Sequence, residues 1–377
     1  MAAERAAADA LFDATCFLDD AHDVTRPRSP WLGAYYALKP FVPRGLQLAV
    51  RRRYARRRPT SGFPAWPIED VLVRLQEEHF RAEMERRGTD RIPFINFWPG
   101  ANRFAFILTH DVEGRAGIAN IEPVLEVERR HGLVSAWYIV AEDYEIPVGT
   151  FELIRSAGGE IGLHGLTHDG TLFRDRATFE AQLPAIHRYM GEWGAAGFRS
   201  PATHRNAAWM PELGCLYDSS FPDTDPFEPQ AGGCCSILPF FLQDLVELPI
   251  TLLQDHTLFE ILGEETADIW TAKADWLAAN HGLVNVLVHP DYMTSPGRLE
   301  LYDRLLAHLT SLAGGWHGLP HELASWWRLR AALEHSFAGA VAGGLPNAAT
   351  IAYAARDGDR IEIQTNSTQP RRLTWMQ

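Results

Sequence analysis

The sequence predicts an α/β protein, a layer or barrel in which strands alternate with helices, and three observations carry that reading. From Arg103 onward, apolar runs of strand length alternate with segments of helical periodicity. Polar residues of catalytic type recur where those runs end, at Asp111, His164, Arg199 and His289, and in barrels of parallel strands that rim is where active sites are built. A chain of 377 residues, 46% of them hydrophobic, also has ample material for a large buried core.

Taken in order, residues 1–99 read as a helical N-terminal region: an Ala-rich opening, a segment from Lys39 to Arg58, and a helix from about Ile68 to Arg87, with Pro59, Pro64 and Pro67 separating the last two. Residues 100–335 hold the alternating body. Strands are expected at Phe104–Leu108, Leu133–Val140, Glu160–His164, Ala196–Arg199, Val246–Ile250 and Leu283–His289. Helices are expected over 122–131, 150–157, 177–193, 207–216, 264–280, 298–312 and 321–334. The long stretch 218–239, rich in Pro, Asp and Gly, reads as a connection, and residues 336–377 as a tail with a β-hairpin turning at Asp357-Gly358-Asp359.

Composition removes several chemistries. Only Lys39 and Lys273 are lysines, and neither follows a Gly, so a Walker A phosphate loop is absent and a Schiff-base lysine has no recognisable context. Cys16, Cys215, Cys234 and Cys235 include no C-x-x-C pair, which excludes zinc-finger and thioredoxin-type sites; Cys234 and Cys235 read as small buried residues. Residues 1–99 carry 16 basic and 13 acidic side chains, whereas residues 100–377 carry 19 and 35. So acidic a body argues against general nucleic-acid binding through phosphate neutralisation. The first 25 residues lack a continuous apolar core and no stretch reaches the length of a membrane span, so a cytoplasmic location is expected.

The positive signal lies at the strand ends. His164 and His168 follow a strand, with Gly165 allowing a sharp turn, so two imidazoles can converge on one cation. Thr109-His110-Asp111-Val112-Glu113 places two carboxylates two residues apart at another strand end, one able to bind metal while the other acts as a base. The similarly spaced His317 and His321 are interrupted by Gly318 and Pro320, with no strand or carboxylate ahead of them, and read as loop and helix-start residues.

Five segments in order, Thr-His-Asp-Val-Glu (109–113), His-Gly-Leu-Thr-His (164–168), Gly-Phe-Arg-Ser-Pro (197–201), Tyr-Asp-Ser-Ser-Phe (217–221) and Val-Leu-Val-His (286–289), resemble the motifs of the polysaccharide deacetylase superfamily, the NodB-homology carbohydrate esterases. The resemblance covers roughly residues 100–330. It implies a deformed (β/α) barrel of about seven parallel strands and a divalent metal, usually zinc, held by one carboxylate and two histidines. It makes His164 and His168 metal ligands, Asp111 the catalytic base, His289 the catalytic acid, and Arg199 the permanent planar cation that holds the base. The common first motif has adjacent aspartates. Here Val112 fills the second position, and a variant branch with one inserted residue makes Glu113 the third ligand.

The implied activity is metal-dependent hydrolysis of an amide in an N-acylated sugar or glycan. Hydrolysis of a small cyclic amide is an alternative on the same barrel, and a non-catalytic glycan-binding barrel an alternative of another class. Phe221, Asp223, Asp225 and Pro201 are candidate substrate-binding residues, with Phe227 a second apolar wall. The run Arg51–Arg58, with Val42, Leu46, Val50 and Tyr54 at four-residue spacing, reads as an amphipathic basic helix that packs on the acidic body or contacts an anionic membrane. Trp326 and Trp327 read as packing residues rather than sugar-stacking platforms.

Overall fold

The computed structural model describes residues 44–55, 57, 63–228, 230–346, 348–358 and 360–365. Cys16, Val42, Arg56 and Arg58 of the sequence reading lie outside the described residues. In chain order the elements are α1 (Arg44–Ala55), α2 (Val71–Arg87), β1 (Arg91–Ile95), β2 (Phe104–Val112), α3 (Arg115–Ala119), α4 (Ile121–Arg130), β3 (Ala136–Ile139), α5 (Thr150–Ser156), β4 (Glu160–Leu163) and α6 (Arg176–Trp193). There follow β5 (Gly197–Phe198), β6 (Tyr217–Asp218), β7 (Phe240–Leu242), β8 (Leu245–Glu247), α7 (Asp268–Ala279), β9 (Leu283–Val288), α8 (Pro296–Ser311), β10 (Gly315–His317), α9 (Pro320–His335), α10 (Phe337–Gly343), β11 (Ile351–Asp357) and β12 (Arg360–Thr365).

β2 is the axis of the fold. All nine of its residues are buried, which explains its unbroken apolar opening, since a parallel strand covered on both faces has no polar side to show. β9 pairs along one edge of β2, while β10 and β3 share the other, β10 beside Phe104–Phe106 and β3 beside Thr109–Val112. β4, β5, β6 and β8 continue the parallel arc, and β7 closes it antiparallel. Seven parallel strands, β9-β2-β3-β4-β5-β6-β8, thus form a deformed (β/α) barrel. Between β8 and β9 a regular ladder gives way to single contacts: Leu252 N donates to Asn285 O at 3.1 Å and Thr251 Oγ1 to Leu283 O at 2.6 Å.

Local chemistry sets the helix limits. Asp175 caps α6 by accepting from Thr178 N, and Gly194 ends it in the left-handed region. Ser295 caps α8, with Pro296 in its first turn. The helix expected over 207–216 is instead a short 3₁₀ turn at Met210–Leu213. Pro211 brings no N–H to that turn, Asn206 Oδ1 accepts from Ala208 N and Trp209 N ahead of it, and Gly214 ends it at φ 70°.

Two regions outside the barrel come together. β1, within the stretch read as purely helical, pairs with β11, and β11 pairs with β12 to form the expected hairpin. The N-terminal region and the tail therefore share a three-stranded sheet. Trp326 and Trp327 are buried, and Trp326 Nε1 donates to Phe97 O. His317 ends strand β10 where a loop was expected; its Nδ1 meets Phe106 O and its Nε2 meets Val134 N, and His321 Nδ1 lies 2.8 Å from Glu160. Cys234 and Cys235 are buried, with their thiols against the Ser236 and Gly233 carbonyls. No described helix is long and apolar enough to cross a membrane.

Candidate metal centre and active site

The strand ends deliver the site. Asp111 occupies the penultimate position of β2 and Glu113 follows its end; His164 follows β4, Arg199 follows β5 and His289 follows β9. Gly165, at φ 72°, turns the chain after His164. A Cβ there would lie 2.9 Å from the Pro201 ring, so the turn needs glycine on both counts. His168 completes the turn, its backbone N–H held by Asp143 Oδ2 at 2.6 Å.

Ligand atoms of Glu113, His164 and His168 lie within 4.8 Å of one another. His164 Nδ1 lies 3.0 Å from the carbonyl of Arg199, which can only accept, so Nδ1 carries the proton and Nε2 presents its lone pair. Among the described residues that buried Nε2 has no hydrogen-bond partner. Burial holds the His164 pKa down at about 4 despite Asp111, so the imidazole is neutral and fit to ligate. Glu113 Oε1 is 2.9 Å from His168 Nε2. Burial pushes its carboxyl up, but His168, followed by His289 and His164, holds it well below the usual range. These donors suit a divalent cation such as zinc. Glu113 and His168 each retain 21% side-chain exposure, so the cluster opens to solvent on the side a substrate would use.

Asp111 is cradled rather than free. Its Oδ1 accepts from Arg199 at 3.1 Å, and its Oδ2 lies 3.7 Å from His164 Nε2 and 3.9 Å from His289 Nε2. Burial opposes its charge, yet Arg199, then His164 and His289, keep its pKa below the ordinary value. Arg199 is fixed on every side: it donates to Ser219 O at 2.7 Å, Ser219 Oγ at 2.7 Å and Thr109 Oγ1 at 2.9 Å, and lies 4.4 Å from the Tyr138 ring centroid. His289 Nδ1 is 2.6 Å from Asp255 Oδ1, while its Nε2 is 3.7 Å from Glu113. Burial disfavours the imidazolium, but Asp255, helped by Glu113 and Asp111, raises the pKa to about 10.

The geometry thus gathers six of the residues singled out from sequence: Asp111, Glu113, His164, His168, Arg199 and His289. No family model matches the chain. A curated relative, the peptidoglycan deacetylase of Helicobacter pylori, is 19% identical over 235 residues, covering 53% of this chain and 80% of that protein. Among solved structures, a polysaccharide-deacetylase-type protein of Mycobacterium smegmatis aligns with TM-score 0.53 at 19% identity, over 63% of this chain and 94% of its own. The PuuE allantoinase aligns at 0.50 and 18%, over 62% and 92%.

The chain is thus similar in sequence to a peptidoglycan deacetylase and shares its barrel fold with a polysaccharide-deacetylase-type structure. The structure corrects the substrate-binding expectations attached to that resemblance. Phe221 is a core residue, 1% exposed, with its ring 6.0 Å from Phe240. Asp223 is tied to the buried Lys273 at 2.7 Å, and Asp225 Oδ1 accepts from Phe227 N at 2.8 Å. Neither carboxylate is held out as an acceptor for a ligand. Phe227 packs edge-on against Trp66 at 5.2 Å, and Pro201 is buried beneath the His164 turn. Arg51 and Arg52 bind Phe227 O and Glu260 O, so part of the basic segment is engaged in tertiary packing.

Four residues of the centre were assigned no role from the sequence. Asp255 holds His289, Tyr292 Oη donates to Glu113 Oε2 at 3.2 Å, Asp143 holds His168, and Asp291 accepts from Glu113 N and Gly117 N, both at 2.9 Å. Asp291 was visible as an acid two residues after His289, though nothing in the sequence showed that it faces back onto Glu113.

Proposed function

We propose that the protein is a metal-dependent amide hydrolase that removes an acyl group from an N-acylated sugar or glycan. The observation that carries this reading is the placement of Asp111 and His289 beside the Glu113–His164–His168 cluster, one carboxylate kept ionised and one imidazole kept protonated. The peptidoglycan deacetylase activity for which the H. pylori relative is named supports the substrate class.

Glu113, His164 and His168 would hold a divalent cation, which would supply a Lewis acid to polarise a carbonyl and acidify water. Asp111, fixed by Arg199, accepts a proton from the attacking water. His289, held by Asp255 and protonated at neutral pH, gives its proton to the departing nitrogen, which would otherwise leave as an unstable amide anion. Two groups with pKa values pushed apart thus take opposite roles in one site.

The test is zinc-loaded protein incubated with N-acetylated chitooligosaccharides, with released acetate and metal content measured together. Stoichiometric zinc and acetate release support the assignment. Turnover of cyclic amides alone would transfer it to the ring-opening alternative, and failure to retain zinc or cobalt would leave a non-catalytic barrel. Asp111→Asn should keep the metal and lower turnover by about 10²–10⁴-fold; near-normal activity would remove Asp111 from the base role.

A peripheral contact with anionic membrane is supported by the outer face of α1. Leu46, Val50 and Tyr54 are 56%, 54% and 56% exposed, beside the exposed Arg53 and Arg57. Apolar insertion flanked by arginines suits anionic head groups. Co-sedimentation with phosphatidylglycerol-containing vesicles at low salt should fall when Val50 and Tyr54 are changed to Glu, and equal sedimentation would remove the contact.

A further inference from the structure

Helix α1 lies outside the barrel, yet its inner face is fastened to the segments that border the site. Arg51 NH2 donates to Phe227 O at 3.3 Å and lies 3.6 Å from Glu228 Oε1, while Arg52 Nε donates to Glu260 O at 2.7 Å. Ala55 and Leu48 pack with Phe227, Ile261, Leu262 and Trp66 in a small apolar cluster separate from the main core. Thr224 Oγ1 donates to Ala65 O at 2.8 Å, a second tie between the N-terminal region and the 221–228 loop.

That loop carries three buried acids with different surroundings. Asp223 has Lys273, and Asp225 has Phe227 N and Thr257 Oγ1. Glu228 is 7% exposed, and among the described residues its buried Oε1 accepts no hydrogen bond; its counter-ion Arg51 stands 3.6 Å away. The loop borders the centre, because Thr257 Oγ1 donates to Asp225 Oδ2 at 3.4 Å and lies two residues after Asp255, which holds His289. A buried carboxylate oxygen without a donor is costly unless something supplies one. Hydroxyl groups of a sugar are donors of the required kind, and Arg51 offsets the charge that would otherwise set Glu228 against Glu113.

We infer that Glu228, held in place by Arg51 of α1, is a substrate-recognition residue that accepts hydrogen bonds from sugar hydroxyls beside the metal centre. This assignment rests on the N-acylated sugar reading of the site and gives the N-terminal basic segment a role in specificity. Glu228 touches the substrate; Arg51 acts through Glu228 and the Phe227 carbonyl as a positioning residue.

The test measures binding of N,N′-diacetylchitobiose to the zinc-loaded full chain by calorimetry, alongside acetate release. Glu228→Gln keeps the shape but weakens the acceptor, and should raise the dissociation constant and KM about tenfold, with a much smaller fall in kcat. Arg51→Lys keeps the charge but loses the reach to Phe227 O, and should shift binding in the same direction by a smaller factor. Thermal melts and zinc content are recorded for both variants, so that a folding defect is separated from a binding defect. Unchanged binding in well-folded, zinc-loaded Glu228→Gln overturns the assignment, as does wild-type protein that binds no saccharide. Wild-type protein that binds the saccharide without releasing acetate would instead sink the hydrolase reading, and the binding comparison would still decide on Glu228.

Discussion

Asp111 and Glu113 sit two residues apart at one strand end and meet different partners. Asp111 faces Arg199, and Glu113 faces His168 and Tyr292. Val112 between them is fully buried, so the intervening position serves the core while both carboxylates turn to the site. Glu113→Ala should therefore cost the metal, measured as zinc per chain, where Asp111→Asn does not. The acid role is tested through Asp255. Removing its charge with Asp255→Asn leaves burial to dominate and lowers the His289 pKa from about 10. Because an acid works only below its pKa, the alkaline limb of the kcat profile should move to lower pH. An unmoved limb would assign the proton donor elsewhere.

At the scale of elements, the β6 end and its neighbours hold Arg199. Asn285 of β9 donates to Ser219 Oγ at 3.0 Å and to the Leu248 and Pro249 carbonyls, joining strand ends where the barrel lacks a regular ladder. Just behind Ser219, Asp218 and Glu247 form a buried acid pair, and Glu247 Oε1 accepts from Ser220 N and Phe221 N, both at 3.0 Å. Burial and the neighbouring Asp218 raise the Glu247 pKa well above its ordinary value. A carboxyl raised on folding binds its proton more tightly in the native state. Its stabilising contribution is present below the unfolded pKa and is lost as pH climbs towards the folded one. Glu247→Gln keeps the acceptor and removes the titration. Its stability relative to wild type should therefore rise by about 1–2 kcal/mol between pH 5 and pH 8, read from denaturant unfolding. A pH-independent difference would show that the pair does not titrate in this range.

At the scale of the whole molecule, the candidate ligands Glu113, His164 and His168 follow the β2 and β4 ends, far apart in the chain, so a cation bound there would tie the folded state and not the unfolded one. At a free concentration of about one hundred times Kd this contributes about 2.7 kcal/mol, which for a chain of this size means a Tm lowered by about 3 °C on chelation and restored by zinc. Absence of any shift would mean that the cluster does not bind metal. The β1-β11-β12 sheet joins the two flanking regions, and α1 reaches round to the loop beside the site, so neither flank is a detached appendage.

The sequence by itself determined the alternating α/β body and the motif residues at the strand ends. It could do so because strands buried on both faces leave continuous apolar runs, and the residue after each run lies on the rim. It misjudged 207–216, where apolar periodicity was outweighed by Pro211 and Gly214. Only the tertiary structure decided which acids serve the site. Asp255 reaches His289 across 34 residues and Arg51 reaches Phe227 across 176, and no local pattern records contacts of that range. It also withdrew Asp223 and Asp225 as ligand acceptors and left Glu228, because whether a buried carboxylate is available depends on the donors that packing has already placed around it.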